Sequence, residues 1–450
     1  MDEMAGRIEN LADATAYLDG LINRERQADY AYTRLDLQPI GALLEGLNRP
    51  QDGLSIIHVA GSKGKGSTCL FAEALLQSLG ERVGTFTSPH LESWLERFRV
   101  GARPVDEATL ISAVRQVQPV LEPLRQGPRE TLPSFFDATT AIALLIFRAE
   151  NVDRVLLEVG LGGRLDSTNI VEPAVTCVTS IELEHTDKLG DTEALIAAEK
   201  AGILKAGVPA VIGPLRAEAM EVVRARAERV GAPLRVVPAE IPSQDGSFVD
   251  RVGDVPFEVD MATPGVAARG NARLAIECVR ALGRYSDDEI AQAVEAVLPH
   301  ARLPGRCEQL AADPRVLVDT AHTAESARAL SVVLQTRAAS GYELLLSVSG
   351  DKDVDRVLRP LLACASRITV TRADPTRSLA ADELADRVRA LIESMPRVAD
   401  FEAKAEISVV SEPEEACRIA RASLAEERML CATGSVYLAG IARRVLGAGR

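Results

Sequence analysis

The sequence predicts an α/β fold in two parts: a mainly parallel sheet carrying a phosphate-binding loop, then a Rossmann-like α/β unit. Three observations carry this. Short β-branched runs are repeatedly followed by a turn and a helical pattern, the alternation that builds a parallel sheet covered on both faces. One apolar strand runs into Gly61-Ser62-Lys63-Gly64-Lys65-Gly66-Ser67 and then a helix. From about Pro304 the strand–helix rhythm starts again. The 450 residues are about three typical domain lengths, so a single core is not expected.

In the first two-thirds of the chain the strands fall at Ser55–Ala60, Arg154–Gly160, Val175–Ile181 and Pro209–Gly213. Helical stretches lie between them. Ser67–Leu79 places Ala72, Leu75, Leu76 and Leu79 on one face, and Thr139–Glu150 and Thr192–Leu204 are helical by the same pattern. Pro299 and Pro304-Gly305 interrupt the helix Asp287–Val297, which sets the boundary near Leu298–Gly305 and gives domains of 1–298 and 304–450. Beyond it, strands are expected near Val316–Asp319, Glu343–Ser349, Arg367–Thr371, Ile407–Ser411 and Met429–Thr433, with a helix between successive strands. The polar, Pro- and Gly-punctuated segment Pro238–Val255 reads as an exposed excursion.

Hydrophobic residues make up 47% and charged residues 26%, the mixture of a globular chain rather than a disordered or fibrous one. Lys and Arg total 51 against 65 Asp and Glu, a net charge of −14. Such a surface repels polyanions, which argues against nucleic-acid binding; small anions need local cations or metal ions that override the overall sign. The opening segment Met1–Arg7 has acidic residues and no apolar h-region, and no run of about 18 apolar residues follows. A cytoplasmic protein without membrane insertion is expected. Cys69, Cys177, Cys278, Cys307, Cys364, Cys417 and Cys431 are scattered without a C-x-x-C pair and read as reduced core residues.

The strongest chemical signal is the loop Gly61–Ser67. Its glycines let backbone N–H groups turn toward phosphate oxygens, the helix N-terminus adds positive potential, Lys65 reaches β/γ-phosphates, and Ser67 suits Mg²⁺. The spelling departs from G-x-x-x-x-G-K-[ST]: Val59 stands at the first glycine, and Gly66 separates Lys65 from Ser67. A tight lysine-bearing turn without a ligand is the plainer alternative. Glu158 is a carboxylate in an otherwise apolar strand, near the end where α/β sheets present ligands. Burial there demands a cation, either a metal or a partner such as Arg164 or Lys65. Ser180-Ile181-Glu182-Leu183-Glu184-His185 offers carboxylates and an imidazole at another strand end. Beside a phosphate loop and Glu158, His185 reads as a metal ligand, although most such histidines are structural. Ser88, in Thr87-Ser88-Pro89-His90-Leu91, supplies a further oxygen or is an ordinary turn serine. Lys200 by default is a solvated helix lysine.

Taken together these blocks resemble the folylpolyglutamate synthase/dihydrofolate synthase family of the Mur-ligase superfamily. The resemblance spans nearly the whole chain. It runs through Asp36-Leu37-Gln38-Pro39-Ile40, the phosphate loop, Thr87–Leu91, Glu158–Asn169, His185–Gly190, Glu199–Lys205, Pro304–Glu308, Asp351-Lys352-Asp353 and Thr433–Leu438. It implies a Mur-ligase-like ATP-binding domain and a C-terminal Rossmann-like ligase domain, with the active site in the cleft between them. By resemblance, Gly61–Ser67 holds ATP. Ser67, Ser88, Glu158, His185 and Lys200 serve two Mg²⁺ ions, Lys200 after carbamylation. Asn271 lies near the adenine, while Arg306, Asp319 and His322 contact ATP from the C-terminal domain. Asp137 is expected near the pterin, or else as a helix N-terminal carboxylate. The chain departs from the family pattern at Ala267, Ala268, Leu303, Thr323 and Ala324.

The implied chemistry is ATP-dependent ligation. ATP phosphorylates a substrate carboxylate, and the amine of L-glutamate attacks the acyl phosphate to give an amide, ADP and phosphate, with Lys65, Glu158, His185 and Lys200 in the catalytic machinery. The expected partners are small molecules (folate or dihydropteroate, L-glutamate and ATP), and the expected state is a monomer. Two alternatives stay open: a Mur-type ligase acting on another acid or amine, and a nucleotide-binding protein without ligase activity.

Overall fold

The computed structural model describes residues 7–22, 36–127, 132–239, 247–338, 341–395 and 405–447. The chain divides into two compact units, Met1–Met261 with Ala268–Ala301, and Ala262–Ala267 with Arg302–Arg450.

The first unit is built on an eight-stranded sheet. Its strands are β1 (Ile56–Ala60), β2 (Val83–Phe86), β3 (Phe98–Val100), β4 (Arg103–Pro104), β5 (Arg154–Glu158), β6 (Val175–Val178), β7 (Ala210–Ile212) and β8 (Leu234–Val236). The order is β4-β3-β2-β5-β1-β6-β7-β8, parallel from β2 to β8, with β3 and β4 added antiparallel. β1, β2, β5 and β6 are buried along their whole length, as strands covered on both faces must be. That explains why they read as continuous apolar runs rather than alternating ones.

Several boundaries move for physical reasons. The strands expected to run to Gly160 and Ile181 end at Glu158 and Val178, where the chain turns into the site loops. The helix expected from Thr139 starts at Phe135, because Ser134 and Asp137 form a reciprocal capping box. Thr192 is the N-cap of helix Glu193–Lys200, whose last turn tightens into a 3₁₀ segment at Ala201–Ile203. Pro238–Val255 corrects the reading as an exposed excursion. Its described part contributes to an antiparallel hairpin, β9 (Phe248–Val252) with β10 (Val255–Val259). Phe248, Val252, Phe257 and Val259 point inward, and the Phe248 and Phe257 rings meet edge-on at 5.2 Å.

The second unit holds a six-stranded sheet in the order β11-β12-β16-β13-β14-β15. These are β11 (Glu308–Leu310), β12 (Asp313–Val318), β13 (Tyr342–Leu346), β14 (Ala365–Val370), β15 (Glu406–Val409) and β16 (Met429–Thr433). All pairs are parallel except β11 with β12. Its own apolar core joins Leu317, Leu344, Leu346, Ile368 and Cys431 with the inward faces of the covering helices.

Candidate active site

β5, β1 and β6 are neighbours running in one direction, with Val59 level with Glu158 and Ala60 level with Val178. The segments that follow leave side by side at the carboxyl edge, where such sheets present ligand loops. After β1 the chain passes through Gly61–Gly64 into helix Lys65–Ser78, whose N-terminal N–H groups have no capping side chain. That end is electropositive and suited to an anion. Ser62 N–H donates to the Ser180 carbonyl at 2.8 Å, and Lys63 N–H to Ser180 Oγ at 2.9 Å. Thr179 Oγ1 donates to the Lys63 carbonyl at 2.5 Å, and Glu182 N–H to Ser62 Oγ at 3.0 Å. The segment after β6 therefore fastens the first half of the loop. Lys65 Nζ donates to the Gly61 carbonyl at 2.9 Å, which folds the ammonium back over the loop.

Glu158 ends β5 with only 5% exposure. Its Oε2 accepts the Ser88 N–H at 2.9 Å, because β2 lies beside β5 and Ser88 follows two residues after its end. A Cβ at Gly66 would stand 3.3 Å from the same oxygen, so the carboxylate faces the first turn of the helix. Ser67, on that turn, is buried. These are hard oxygen donors of the kind Mg²⁺ prefers when phosphates and water complete its shell. Among the described residues no group of three or more His, Cys, Asp and Glu side chains is gathered as a metal cage.

Lys200 is 2% exposed and donates from Nζ to Glu184 Oε1 at 2.9 Å, while Lys63 Nζ lies 3.8 Å from Glu184 Oε2. Burial is the main force on Lys200 and, with the charges of Lys65 and Lys63, brings its pKa down to about 8 against the opposing pull of Glu184. Burial disfavours an ionised Glu184, but Lys200, Lys65 and Lys63 together outweigh it and hold the carboxyl below its usual range. Lys200 is thus not the solvated helix lysine of the default reading. His185 is exposed, in a left-handed conformation (φ 47°), just before the short turn Thr186–Leu189.

Asn271 projects from helix Val266–Ala281 so that its amide oxygen fills the space a Gly64 side chain would take. Asp137 is buried and serves as the capping carboxylate of its helix; it accepts Ser134 N–H and Oγ–H, each at 2.6 Å, and Ser167 Oγ–H at 2.6 Å. In the second unit, Arg306, Asp319 and His322 form one cluster at the carboxyl end of β12. Asp319 accepts the Cys307 and Ala321 N–H groups, both at 2.7 Å. Burial raises the Asp319 pKa, and Arg306 and those two N–H groups oppose it. Arg306 donates to Thr320 Oγ1, and His322 Nδ1 lies 2.8 Å from the Thr320 carbonyl.

Comparison with known proteins adds the family. The model of the dihydrofolate synthetase C-terminal domain matches residues 308–445. The dihydrofolate synthase/folylpolyglutamate synthase of Bacillus subtilis is 36% identical over 353 residues, covering 76% of this chain and 82% of that protein. The protein of the same description from Mycobacterium tuberculosis is 32% identical and covers 92% of this chain and 91% of its own. The chain belongs to the dihydrofolate synthase/folylpolyglutamate synthase family. It is therefore an ADP-forming carboxylate–amine ligase by membership. The E. coli FolC structure in complex with DHPP and ADP superposes with a TM-score of 0.81 at 27% identity, over 98% of both chains.

Within this ligase fold, two sets of contacts escaped the sequence. Ser180 and Glu182 lie in the strand-end segment singled out for its carboxylates and imidazole, and Thr179 just before it, but nothing local announces that they fasten the phosphate loop through hydroxyls and backbone. Glu184 was visible as a strand-end carboxylate, but its pairing with Lys200 depends on the chain folding back over 16 residues.

Proposed function

We propose that the chain joins the amine of L-glutamate to the carboxylate of a dihydropteroate or folate, with ATP converted to ADP and phosphate. A carboxylate is a poor electrophile. Transfer of the γ-phosphoryl group to its oxygen gives an acyl phosphate; the glutamate nitrogen then bonds to the carbonyl carbon, a proton leaves the nitrogen, and phosphate departs. The Gly61–Ser67 N–H groups cradle the phosphates, and Lys65 swings from the Gly61 carbonyl to neutralise charge on the transferring phosphoryl oxygens. On this reading 1–298 is the ATP-binding domain and 304–450 the C-terminal ligase domain. Asn271 contacts the adenine, and Arg306, Asp319 and His322 contact ATP.

Ser67, Ser88 and Glu158 fit one Mg²⁺, on the strength of their oxygen chemistry and the Glu158 carboxylate facing Gly66. When bound, that ion supplies charge neutralisation at the phosphates. A second ion at His185 and Lys200 does not fit the ion pair as it stands, because an ammonium paired with Glu184 has no lone pair to give. Carbamylation of Lys200 would replace it with a carboxylate-like ligand. A cytoplasmic monomer completes the reading; no helix among the described residues is long and apolar enough to cross a membrane.

The observation that carries the reading is the convergence of the phosphate loop, Ser88 and Glu158 at one sheet edge in a member of this ligase family. Measuring ADP release with dihydropteroate, tetrahydrofolate and glutamate in all combinations tests it. Release that requires both a pteroate compound and glutamate supports it; release driven only by another acid or amine overturns the substrate assignment.

A further inference from the structure

His58 is the one ionisable side chain on β1, between Ile57 and Val59, and it is 0% exposed. Its Nε2 lies 2.8 Å from Thr168 Oγ1, and Thr168 Oγ1 donates in turn to Asp166 Oδ1. A hydroxyl carries a single proton. With that proton directed at Asp166 Oδ1, Thr168 must accept from His58, which fixes the neutral tautomer protonated at Nε2. Burial first, and the nearby Lys205 charge second, bring the imidazole pKa down to about 3, so the ring stays neutral under working conditions.

Asp166 is the hub of the turn that follows β5. Its Oδ1 also accepts Thr168 N–H at 3.0 Å, and its Oδ2 accepts Gly160 N–H at 3.1 Å and Leu161 N–H at 2.9 Å. Those two N–H groups stand two and three residues beyond Glu158. A hydrogen-bond relay therefore runs from the strand that feeds the phosphate loop to the backbone that carries the carboxylate. The arrangement is costly to the fold: His58 Nδ1 is buried with no hydrogen-bond partner. An aliphatic side chain like those of Ile57 and Val59 would fill the core without that penalty.

We propose that His58 is a positioning residue for the ligase reaction, acting through Thr168 and Asp166 to set the turn after β5 and so the aim of Glu158 at Gly66 and the phosphate loop. The inference rests on the role given to Glu158 above.

Four variants test it: Thr168→Val, His58→Leu, the double variant H58L/T168V, and His58→Gln. Each is measured for kcat, for KM toward ATP and pteroate, for affinity toward a non-hydrolysable ATP analogue, and for thermal midpoint. T168V strands the His58 N–H and lowers the midpoint, whereas the double variant removes the stranded group and recovers it. The expected result is that kcat does not recover with it. T168V, H58L and the double variant each lose about 10–100-fold in kcat, the size seen when a group orienting a ligand is removed, with the KM for pteroate unchanged. The double loss equals the larger single loss, because both residues belong to one chain of bonds. H58Q keeps an N–H donor and restores most of the rate. Should H58L fail to fold, T168V and H58Q decide the matter. The inference is overturned by a folded T168V at parental kcat, by kcat recovering with stability in the double variant, or by H58Q no better than H58L. Glu158→Gln in the same assay separates the two claims. If it retains the parental rate, the Glu158 role falls and this inference with it. If it is inactive while T168V is parental, only the His58 relay falls.

Discussion

The Lys200 ammonium lies 2.9 Å from Glu184 Oε1 in a position almost closed to solvent, and the pair decides when Lys200 can react. Burial, Lys65 and Lys63 favour the neutral amine, Glu184 favours the charged one, and the balance falls at about 8. Only the neutral amine adds CO₂. Bicarbonate-dependent carbamylation, followed by mass spectrometry after chemical trapping, is therefore expected to rise as pH passes about 8 rather than near the ordinary lysine value of 10.5. Glu184→Gln removes the opposing charge and should move that midpoint lower. The linkage has a definite sign: between the folded and ordinary pKa the unfolded chain binds more protons, so this group adds stability as pH rises through that window. Absence of added mass, together with no rescue of Lys200→Ala by short carboxylic acids, would count against carbamylation.

Lys65 carries the phosphoryl-transfer claim. Its Nζ rests on the Gly61 carbonyl at 2.9 Å, within the loop it is proposed to serve. Lys65→Ala should lower glutamate-dependent ADP release by about 10²–10³-fold, the effect of losing one electrostatic donor at a developing charge. A thermal midpoint near the parental value would show that the loss is chemical. Near-normal turnover would remove Lys65 from the mechanism.

What the sequence disclosed and what it hid follow from how local each signal is. Gly61–Ser67 was legible because a strand, glycines, a lysine and a helix start are contiguous, and Glu158 because a carboxylate is anomalous in a buried strand. Lys200 and Glu184 were each visible, but not as a pair: their contact depends on the loop after β6 returning over helix Glu193–Lys200. The hairpin at Phe248–Val259 was concealed by Asp250, Arg251, Gly253 and Pro256, whose polarity masks the buried alternation of Phe248, Val252, Phe257 and Val259. His58 read as one residue of an apolar strand, since its partner Thr168 lies 110 residues away.

Gly64 is under two independent constraints. Its φ of 85° is a left-handed conformation that costs an L-residue roughly 1–2 kcal/mol, and a Cβ there would overlap the Asn271 amide oxygen. Gly64→Ala should therefore lower the thermal midpoint, and where the free loop relaxes out of its present conformation to escape the strain it should weaken ADP binding, measured by calorimetry, by at most about tenfold for each 1.4 kcal/mol relieved. Adding Asn271→Ala relieves the overlap but not the backbone strain. Because Asn271→Ala also removes the proposed adenine contact, the double variant should bind ADP worse than Asn271→Ala, but by a smaller factor than Gly64→Ala falls below the parent; equal binding by the parent and all three variants would show that neither constraint bears on the nucleotide.

Far along the sheet from the loop, at the amino end of β5, Arg154 clamps Glu81 with two N–H···O bonds of 2.8 and 3.0 Å, both side chains being buried. Tyr285 adds its hydroxyl to the same carboxylate at 2.6 Å. Burial opposes ionisation of Glu81, yet Arg154 and Tyr285 prevail and hold its pKa below the usual range. A carboxyl lowered in this way contributes stability that is fully present above its unfolded pKa of about 4.3 and is lost as pH falls through the folded value. Arg154→Met leaves the buried carboxylate with only the largely exposed Arg284 guanidinium, 3.6 Å away, and should destabilise the first unit by about 3 kcal/mol at neutral pH. In that variant the sign reverses, because Glu81 then folds more readily when protonated, and urea midpoints should rise as pH falls from about 7 toward about 5, a range over which this group leaves the parental midpoint level. Replacing both partners, Glu81→Met with Arg154→Met, removes the stranded charge and should recover most of the stability, while kcat per folded molecule stays parental in every case. A midpoint for Arg154→Met that tracks the parent across pH would mean that the pair contributes nothing to the fold.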